Sequence, residues 1–199
     1  MTLTAGVDVE DASTLPRKRE AGRLDPDDEL ALAARVDPDA FGILYERHRL
    51  AVFRYLRTRT RTEDDAAELT AVAFERALVA IPRYRPLGGG VLAWLLRIAR
   101  NAAIDAGRRR QAVPLDTERP DIAGPGDPER RAIERERRAR IAAAIDRLPD
   151  VQREAISLRY AAGLTAREIG DVVGKSEQAT QKLISRALAT LREDHRHDR

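Results

Sequence analysis

Residues 165–188 read TAREIGDVVGKSEQATQKLISRAL and hold the strongest local signal in the 199-residue chain. Thr165 and Glu168 have the spacing of a capping box, in which each side chain bonds the other residue's backbone N–H, so a short helix should begin here. Gly174 should end that helix, because glycine adopts the left-handed conformation without strain, and Ser176 should cap a longer one. This order of elements predicts a helix-turn-helix.

The second helix of such a motif places its first turns in the major groove of DNA. Its polar side chains then reach base edges, and a cation further along meets the phosphates. The residues predicted for these roles are Ser176, Glu177, Gln178, Gln181, Lys182 and Arg186. Lys175 and Thr180 occupy positions where apolar packing residues are usual, so either the helix sits differently or its packing is looser.

A second group of basic residues lies upstream, in a helix predicted over residues 92–110. Leu95, Ile98 and Ala102 form its apolar line, and polar side chains recur at three-and-four spacing on the other side. Arginine has a positive charge for phosphates, and the asparagine amide has both a hydrogen-bond donor and an acceptor for a base edge. Trp94 could stack against an unstacked base. The residues predicted to face DNA are Trp94, Arg97, Arg100, Asn101, Arg108 and Arg109. The alternative is a solvated basic face with Trp94 in the core.

The helix predicted over residues 62–81 has the opposite charge. Asp65, Glu68 and Glu75 fall on one stripe with Val72 between them, whereas the apolar residues lie on another. The helix contains no Glu-x-x-His pair, the pattern with which helical bundles bind two metal ions. The stripe is therefore either a solvated face or a docking surface for a basic partner, and charge alone leaves both readings open.

The predicted fold class is all-α, with two small helical domains joined by a flexible linker and the helix-turn-helix in the second. Only 4% of the residues are aromatic, and no strand-like alternation is evident. A stretch rich in proline and glycine separates the two basic parts. The predicted division is a disordered extension (1–24), a first domain (25–110), a linker (111–127), a second domain (128–193) and a tail (194–199).

Three helix starts share one signal, an aspartate followed by proline, at Asp25-Pro26, Asp37-Pro38 and Asp127-Pro128. The aspartate caps the free N–H groups, and proline at the first helical position sacrifices no hydrogen bond. After the second start, apolar residues recur at helical spacing and predict a long amphipathic helix. These residues are Phe41, Leu44, Tyr45, Val52, Phe53 and Leu56. Three consecutive glycines in the segment 82–91 predict a loop.

Several function classes are excluded by composition. The chain has no cysteine, which removes disulfide scaffolds, thiolate metal sites and cysteine nucleophiles. No nucleophile–base pair, metal constellation or nucleotide loop is evident, so we expect neither enzymatic activity nor a cofactor nor a metal. Without an apolar run near the roughly 20 residues that cross a bilayer, we expect a cytoplasmic protein without membrane insertion. By contrast, residues 41–110 carry 14 basic and 7 acidic residues, which suggests a polyanionic partner.

Over residues 26–192 the sequence resembles the extracytoplasmic-function (ECF) sigma factors of the sigma-70 family, two-domain subunits of bacterial transcription initiation. The likeness rests on motifs that occur in this order along both predicted domains. They are DAAELT (65–70), FERA (74–77), AWLLRIARN (93–101), LP (148–149), QRE (152–154), GLT (163–165) and SRAL (185–188).

This resemblance implies that the first domain binds core RNA polymerase and reads and melts the minus-ten element of promoter DNA. The second domain would read the minus-thirty-five element. The polymerase-binding residues that it implies are Asp65, Glu68, Leu69, Phe74 and Glu75. Val72 stands where the family usually has a glutamate, so one common polymerase-facing carboxylate is missing. An anti-sigma factor as a further partner is left open.

Two other function classes compete with this interpretation. A helix-turn-helix regulator that never associates with polymerase would leave the acidic stripe and the arginine-ended helix of the first domain without a role. A pure interaction protein would need neither DNA nor polymerase. Association with core polymerase separates these hypotheses.

Overall fold

The computed structural model describes residues 25–86, 88–111, 136 and 140–197, without the side chains of 109–111 and 195–197. Every regular element within these residues is helical, which confirms the all-α fold class. The elements are α1 (Pro26–Ala33), α2 (Pro38–Arg57), α3 (Glu63–Ala80), a 3-10 turn (Ile81–Arg83), α4 (Gly90–Gln111), α5 (140–146), α6 (Asp150–Tyr160), α7 (Ala166–Val173) and α8 (Glu177–His197).

Polar caps begin the first three helices, as the sequence predicts for α1 and α2. Asp25 accepts a hydrogen bond from the backbone N–H of Asp27 at 3.0 Å, and Asp37 accepts one from Asp39 at 2.9 Å. Thr62 does the same for the third helix. The third predicted aspartate–proline start, at residues 127–128, lies outside the described residues, as does the predicted N-terminal extension. So does the predicted linker, apart from Gln111, which is the last residue of α4.

The amphipathic face of α2 differs from the predicted one at three positions. Leu44, Val52 and Leu56 are buried as expected. Tyr45, predicted on the apolar face, is 38% exposed and touches the ring of a neighbour only at its edge. His48 and Tyr55, which are not among the predicted apolar residues, are buried instead. Burial lowers the pKa of His48 below its ordinary value, so the ring is neutral near pH 7.

The helix-turn-helix is present as predicted. Thr165 and Glu168 form a complete capping box at the start of α7. Gly174 ends that helix in the left-handed conformation, at φ 72°. The hydroxyl of Ser176 then accepts from the backbone N–H of Ala179 at 3.3 Å and caps α8. A small cluster of Leu148, Ile156 and Ala187 holds α6 against α8.

The two helical domains are packed against each other, which the sequence did not indicate. α7 lies on α4. Leu158, Leu164 and Ile169 belong to the same buried apolar cluster as the residues of α2, α3 and α4. In the described part of the chain, none of the helices combines the length and apolarity that a bilayer span requires.

Candidate interfaces for nucleic acid and polymerase

The predicted DNA-facing residues of α4 differ in how exposed their side chains are. Arg97, Asn101 and Arg108 are exposed. Arg100 is only 34% exposed in its side chain, and its Nε atom lies 3.5 Å from a carboxylate oxygen of Glu154 in the second domain. The side chain of Arg109 lies outside the described residues.

Trp94 lies half-buried near the start of α4, so its exposure is intermediate between that of a stacking wall for a base and that of a core residue. Its ring meets the edge of the Tyr84 ring at a centroid distance of 5.0 Å. The hydroxyl of Tyr84 in turn bonds the buried Asp28 of α1 at 2.6 Å. Trp94 is therefore fixed by packing from behind while part of its ring faces outward, which suits a wall against which a base can stack.

The position of α4 in the first domain is fixed by its apolar side and by an ion pair with α3. Leu95, Leu96 and Ala99 are buried. Arg76 of α3 reaches Asp105 at 2.8 Å. Asp105 lies one turn after Asn101 on the same face, so this ion pair fixes the helix next to the exposed residues. Arg97 and Asn101 are therefore presented by a rigid helix, which favours defined contacts over loose charge attraction.

The acidic stripe of α3 is largely accessible. Glu68 and Glu75 are exposed, whereas Asp65 and Leu69 are half-buried. Phe74, predicted among the polymerase-binding residues, does not join this surface. It is 4% exposed and packs edge-on against two rings of α2, because its large apolar side chain is more stable in the core.

The exposed side of α3 also ends in an apolar pair that the sequence analysis missed. Leu78 is 50% exposed and Val79 is 82% exposed. Both residues follow the acidic stripe along the same helix. A helical apolar residue is ordinarily assigned to the core, and here only the packing shows that this pair lies outside it.

The predicted recognition residues are all exposed, on the cap and the first three turns of α8. They are Ser176, Glu177, Gln178, Gln181, Lys182 and Arg186. Four of them, together with Ser185, line a shallow groove. The amide of Gln181 donates to the carboxylate of Glu177 at 3.3 Å, so these two side chains restrain each other before any DNA is bound.

The two residues of the motif that stand at usually apolar positions differ in their exposure. Lys175 is exposed in the turn. Thr180 is fully buried, and its hydroxyl donates to the backbone oxygen of Ser176 at 3.0 Å. A buried hydroxyl with its hydrogen bond made is compatible with packing, so Thr180 packs inside the second domain despite its polar group.

No metal centre accompanies these surfaces among the described residues, where no group of three or more His, Asp or Glu side chains is placed to hold an ion. The side chains of His195 and His197 lie outside the described residues.

Two family descriptions match this chain, and they divide it as the two helical domains do. The family described as Sigma-70 region 2 matches residues 44–113. The family described as Sigma-70, region 4 matches residues 138–191. The first match covers α3 and α4, and the second covers the helix-turn-helix.

Curated relatives of this chain are named as ECF RNA polymerase sigma factors. The ECF RNA polymerase sigma factor BldN of Streptomyces coelicolor is 34% identical over 158 residues, which cover 78% of this chain but only 60% of that protein. The ECF RNA polymerase sigma factor SigD of Mycobacterium tuberculosis is 33% identical over 175 residues, which cover 83% of this chain and 81% of that protein.

A solved structure agrees with the described arrangement of helices. CnrH, in complex with the cytosolic domain of CnrY, matches with a TM-score of 0.69 and 28% identity, over 88% of this chain and 100% of that chain. The fold, the two family matches and the named relatives together establish that this chain belongs to the ECF group of the sigma-70 family of RNA polymerase sigma factors.

Proposed function

We propose that this chain binds core RNA polymerase and directs promoter-specific initiation, with a separate task for each exposed surface. The acidic face of α3 would meet the polymerase, α4 would read the minus-ten element, and the front of α8 would read the minus-thirty-five element. The observation that supports this most is the first domain itself, where an exposed acidic helix and an exposed basic helix pack side by side.

Promoter melting in this proposal needs no chemical reaction by the chain. Arg97 and Asn101 would hold a separated strand, and Trp94 would stack on an extruded base. The binding energy of such contacts offsets the few kcal/mol that unstacking costs. We therefore infer that the chain is a DNA-binding subunit and catalyses no reaction of its own.

The proposed function predicts two linked activities of the purified full-length chain. It should form a complex with core polymerase, and that complex should give run-off transcripts from some promoters and not from others. Promoters are found by selecting bound genomic fragments with the reconstituted holoenzyme. A chain that binds duplex DNA but gives no complex with polymerase at any salt concentration would contradict the proposal.

The competing regulator hypothesis is less well supported. Regulators of that kind need only the helix-turn-helix, whereas the family match extends through α3 and α4. The relatives reported above are named as polymerase sigma factors.

We also propose that a regulatory protein binds this chain, because the similar protein CnrH is described in complex with another protein. Because core polymerase and the chromosome lie in the cytoplasm, we propose that the chain acts there.

The double variant Arg97→Ala/Asn101→Ala should impair promoter opening. One phosphate contact and one base contact are lost, and a good base contact alone is worth about 1–3 kcal/mol, so opening should fall by roughly 10- to 100-fold. Arg100 is left unchanged because it contacts the second domain. Fluorescence of a base analogue in the minus-ten region reports opening. Wild-type opening by this variant would remove α4 from the interface.

The double variant Gln178→Ala/Lys182→Ala should change which minus-thirty-five sequences are bound. Both side chains are exposed on the front of α8 and have donors for base edges. Arg192→Ala is the matched control, since this residue is also exposed on α8 but four turns after the helix begins. Selection from randomised duplexes measures the preference. An identical preference in the wild type and the double variant would show that the helix lies in the groove differently.

A further inference from the structure

Tyr84, directly after the 3-10 turn, is held at two points by α1 and the residues that follow α1. Its hydroxyl donates to Oδ1 of Asp28 at 2.6 Å. Its backbone carbonyl accepts a hydrogen bond from Nη2 of Arg35 at 2.7 Å. Tyr84 is 2% exposed and Asp28 is 3% exposed, so the first of these bonds lies in the core. Both the side chain and the backbone of Tyr84 are therefore fixed.

α1 is itself anchored to α2 by the residue before Asp28. Oδ1 of Asp27 accepts a hydrogen bond from Nη1 of Arg47 at 2.6 Å, and its Oδ2 lies 3.1 Å from Nε2 of His48. Neighbouring residues of a helix point in different directions, and here one carboxylate meets α2 while the next meets Tyr84. α1 thus connects α2 to the turn before α4, although it precedes the residues that match Sigma-70 region 2.

The ring of Tyr84 supports the ring of Trp94. The two rings meet edge to face, with their planes at 67°, an arrangement that aromatic pairs favour. Trp94 is only half-buried, and a side chain of this kind keeps one orientation where its neighbours are themselves held. A stacking surface that is fixed in advance loses less conformational entropy when a base binds to it.

We propose that Tyr84, Asp28 and Arg35 are positioning residues for promoter opening, which hold the Trp94 ring in the orientation that receives an extruded base. This inference rests on the proposed function. Tyr84 and Asp28 are buried and touch no DNA themselves, so their whole effect on opening passes through Trp94. α1 is then a working part of the minus-ten surface.

Trp94 is the only tryptophan in the sequence, so its fluorescence reports the position of this ring in the free full-length chain. Tyr84→Phe keeps the supporting ring and removes its hydroxyl. Arg35→Ala removes the second hold at an exposed residue, which leaves the core unchanged. Both variants should shift the emission of Trp94 to longer wavelength and make it more readily quenched by acrylamide, because a ring that is held less tightly is better hydrated. Tyr84→Leu, which removes the supporting ring, should shift it further.

Tyr84→Phe and Arg35→Ala should each lower promoter opening by reconstituted holoenzyme about three- to tenfold, a smaller loss than removal of the whole stacking contact would cause. A base analogue in the minus-ten region measures opening. Affinity for core polymerase should stay at the wild-type value, because the acidic face of α3 is unchanged.

A Trp94→Ala background separates positioning from a general loss of stability. Tyr84→Phe should lower opening in the wild-type chain and have no further effect in Trp94→Ala, since it acts through that ring. A merely weakened domain would lose opening by the same factor in both backgrounds. Thermal unfolding of each variant measures the stability that is lost.

Thr70→Val and Arg54→Ala are the matched controls. Thr70 is buried, and its hydroxyl donates to the backbone oxygen of Ala66 at 2.7 Å, so this variant also loses one buried hydroxyl bond of the first domain. Arg54 is an exposed arginine of α2, so its replacement removes the same charge as Arg35→Ala. Both controls should leave the emission of Trp94 and promoter opening at their wild-type values.

Wild-type emission in both Tyr84→Phe and Arg35→Ala would overturn the proposal, and so would shifted emission with wild-type opening. Equal effects of Tyr84→Phe with and without Trp94 would show that the contact only stabilises the domain. If the emission shifts as expected but the wild-type chain forms no complex with polymerase, the proposed function itself fails, and the role of Trp94 in opening fails with it.

Discussion

Reversing the charge of Glu68 and Glu75 together, to arginine, is expected to abolish association with core RNA polymerase while the chain stays folded. The two residues are exposed and lie seven positions apart, on one face of α3. In the proposed complex they face a basic surface. Placing like charges across an interface costs several kcal/mol, so the affinity should fall at least about 100-fold.

The control for this prediction is a second double reversal with the same spacing and the same change of net charge. Asp39→Arg/Glu46→Arg alters two exposed residues that lie seven positions apart on α2. Any general effect of added positive charge on polymerase or on DNA is common to both variants. Titration of labelled polymerase should therefore separate them. Equal losses would show that α3 has no special role, and no loss in either would exclude the acidic face as the docking surface.

The helix-turn-helix was predictable because its signals are local. The capping box of Thr165 and the left-handed Gly174 involve residues within a few positions of each other. Such signals determine a helix end whatever the rest of the chain does. The same reason explains the correct starts of α1 and α2. Each of them is set by one aspartate and the proline that follows it.

Domain docking could not be predicted in this way. Tyr55 and Glu154 are 99 positions apart in the chain and become partners only after both domains have folded. From sequence, Glu154 is an ordinary charged residue of an amphipathic helix. Arg100 is one of several arginines at equivalent spacing on α4, and periodicity does not tell which of them a second domain covers. Candidate site residues could thus be placed on the right helices without knowing which are accessible.

The errors within the first domain concern side chains whose burial depends on the neighbouring helices. His48 and Tyr55 are buried on α2, although neither is among the apolar residues predicted for this helix. Nε2 of His48 lies 3.1 Å from a carboxylate oxygen of Asp27, and the Tyr55 hydroxyl donates to Glu154. Phe74 was assigned to the polymerase surface by resemblance, but its side chain is buried in the core. In both cases the outcome depends on the neighbouring helices, which a single helix pattern does not contain.

Gly170→Ala is expected to destabilise the second domain and to weaken minus-thirty-five binding. Gly170 is buried where α7 crosses the turn into α8. A Cβ atom there would lie 2.5 Å from the backbone oxygen of Lys175 and 3.3 Å from the Thr180 hydroxyl. The backbone of the turn must therefore move, and overpacking of this kind costs about 1–3 kcal/mol. Since the turn sets the angle of the recognition helix, DNA binding should weaken with it.

Gly42→Ala is the matched substitution because the added methyl group meets nothing within 4 Å on α2. There the change should stabilise the chain by roughly 0.5–1 kcal/mol, since alanine loses less backbone entropy in a helix. The same chemical change should thus have opposite signs at the two glycines, which thermal unfolding measures directly. If Gly170→Ala unfolded at or above the wild-type temperature, the close approach of α7 to the turn would not exist in solution. The orientation assigned to the recognition helix would then be wrong as well.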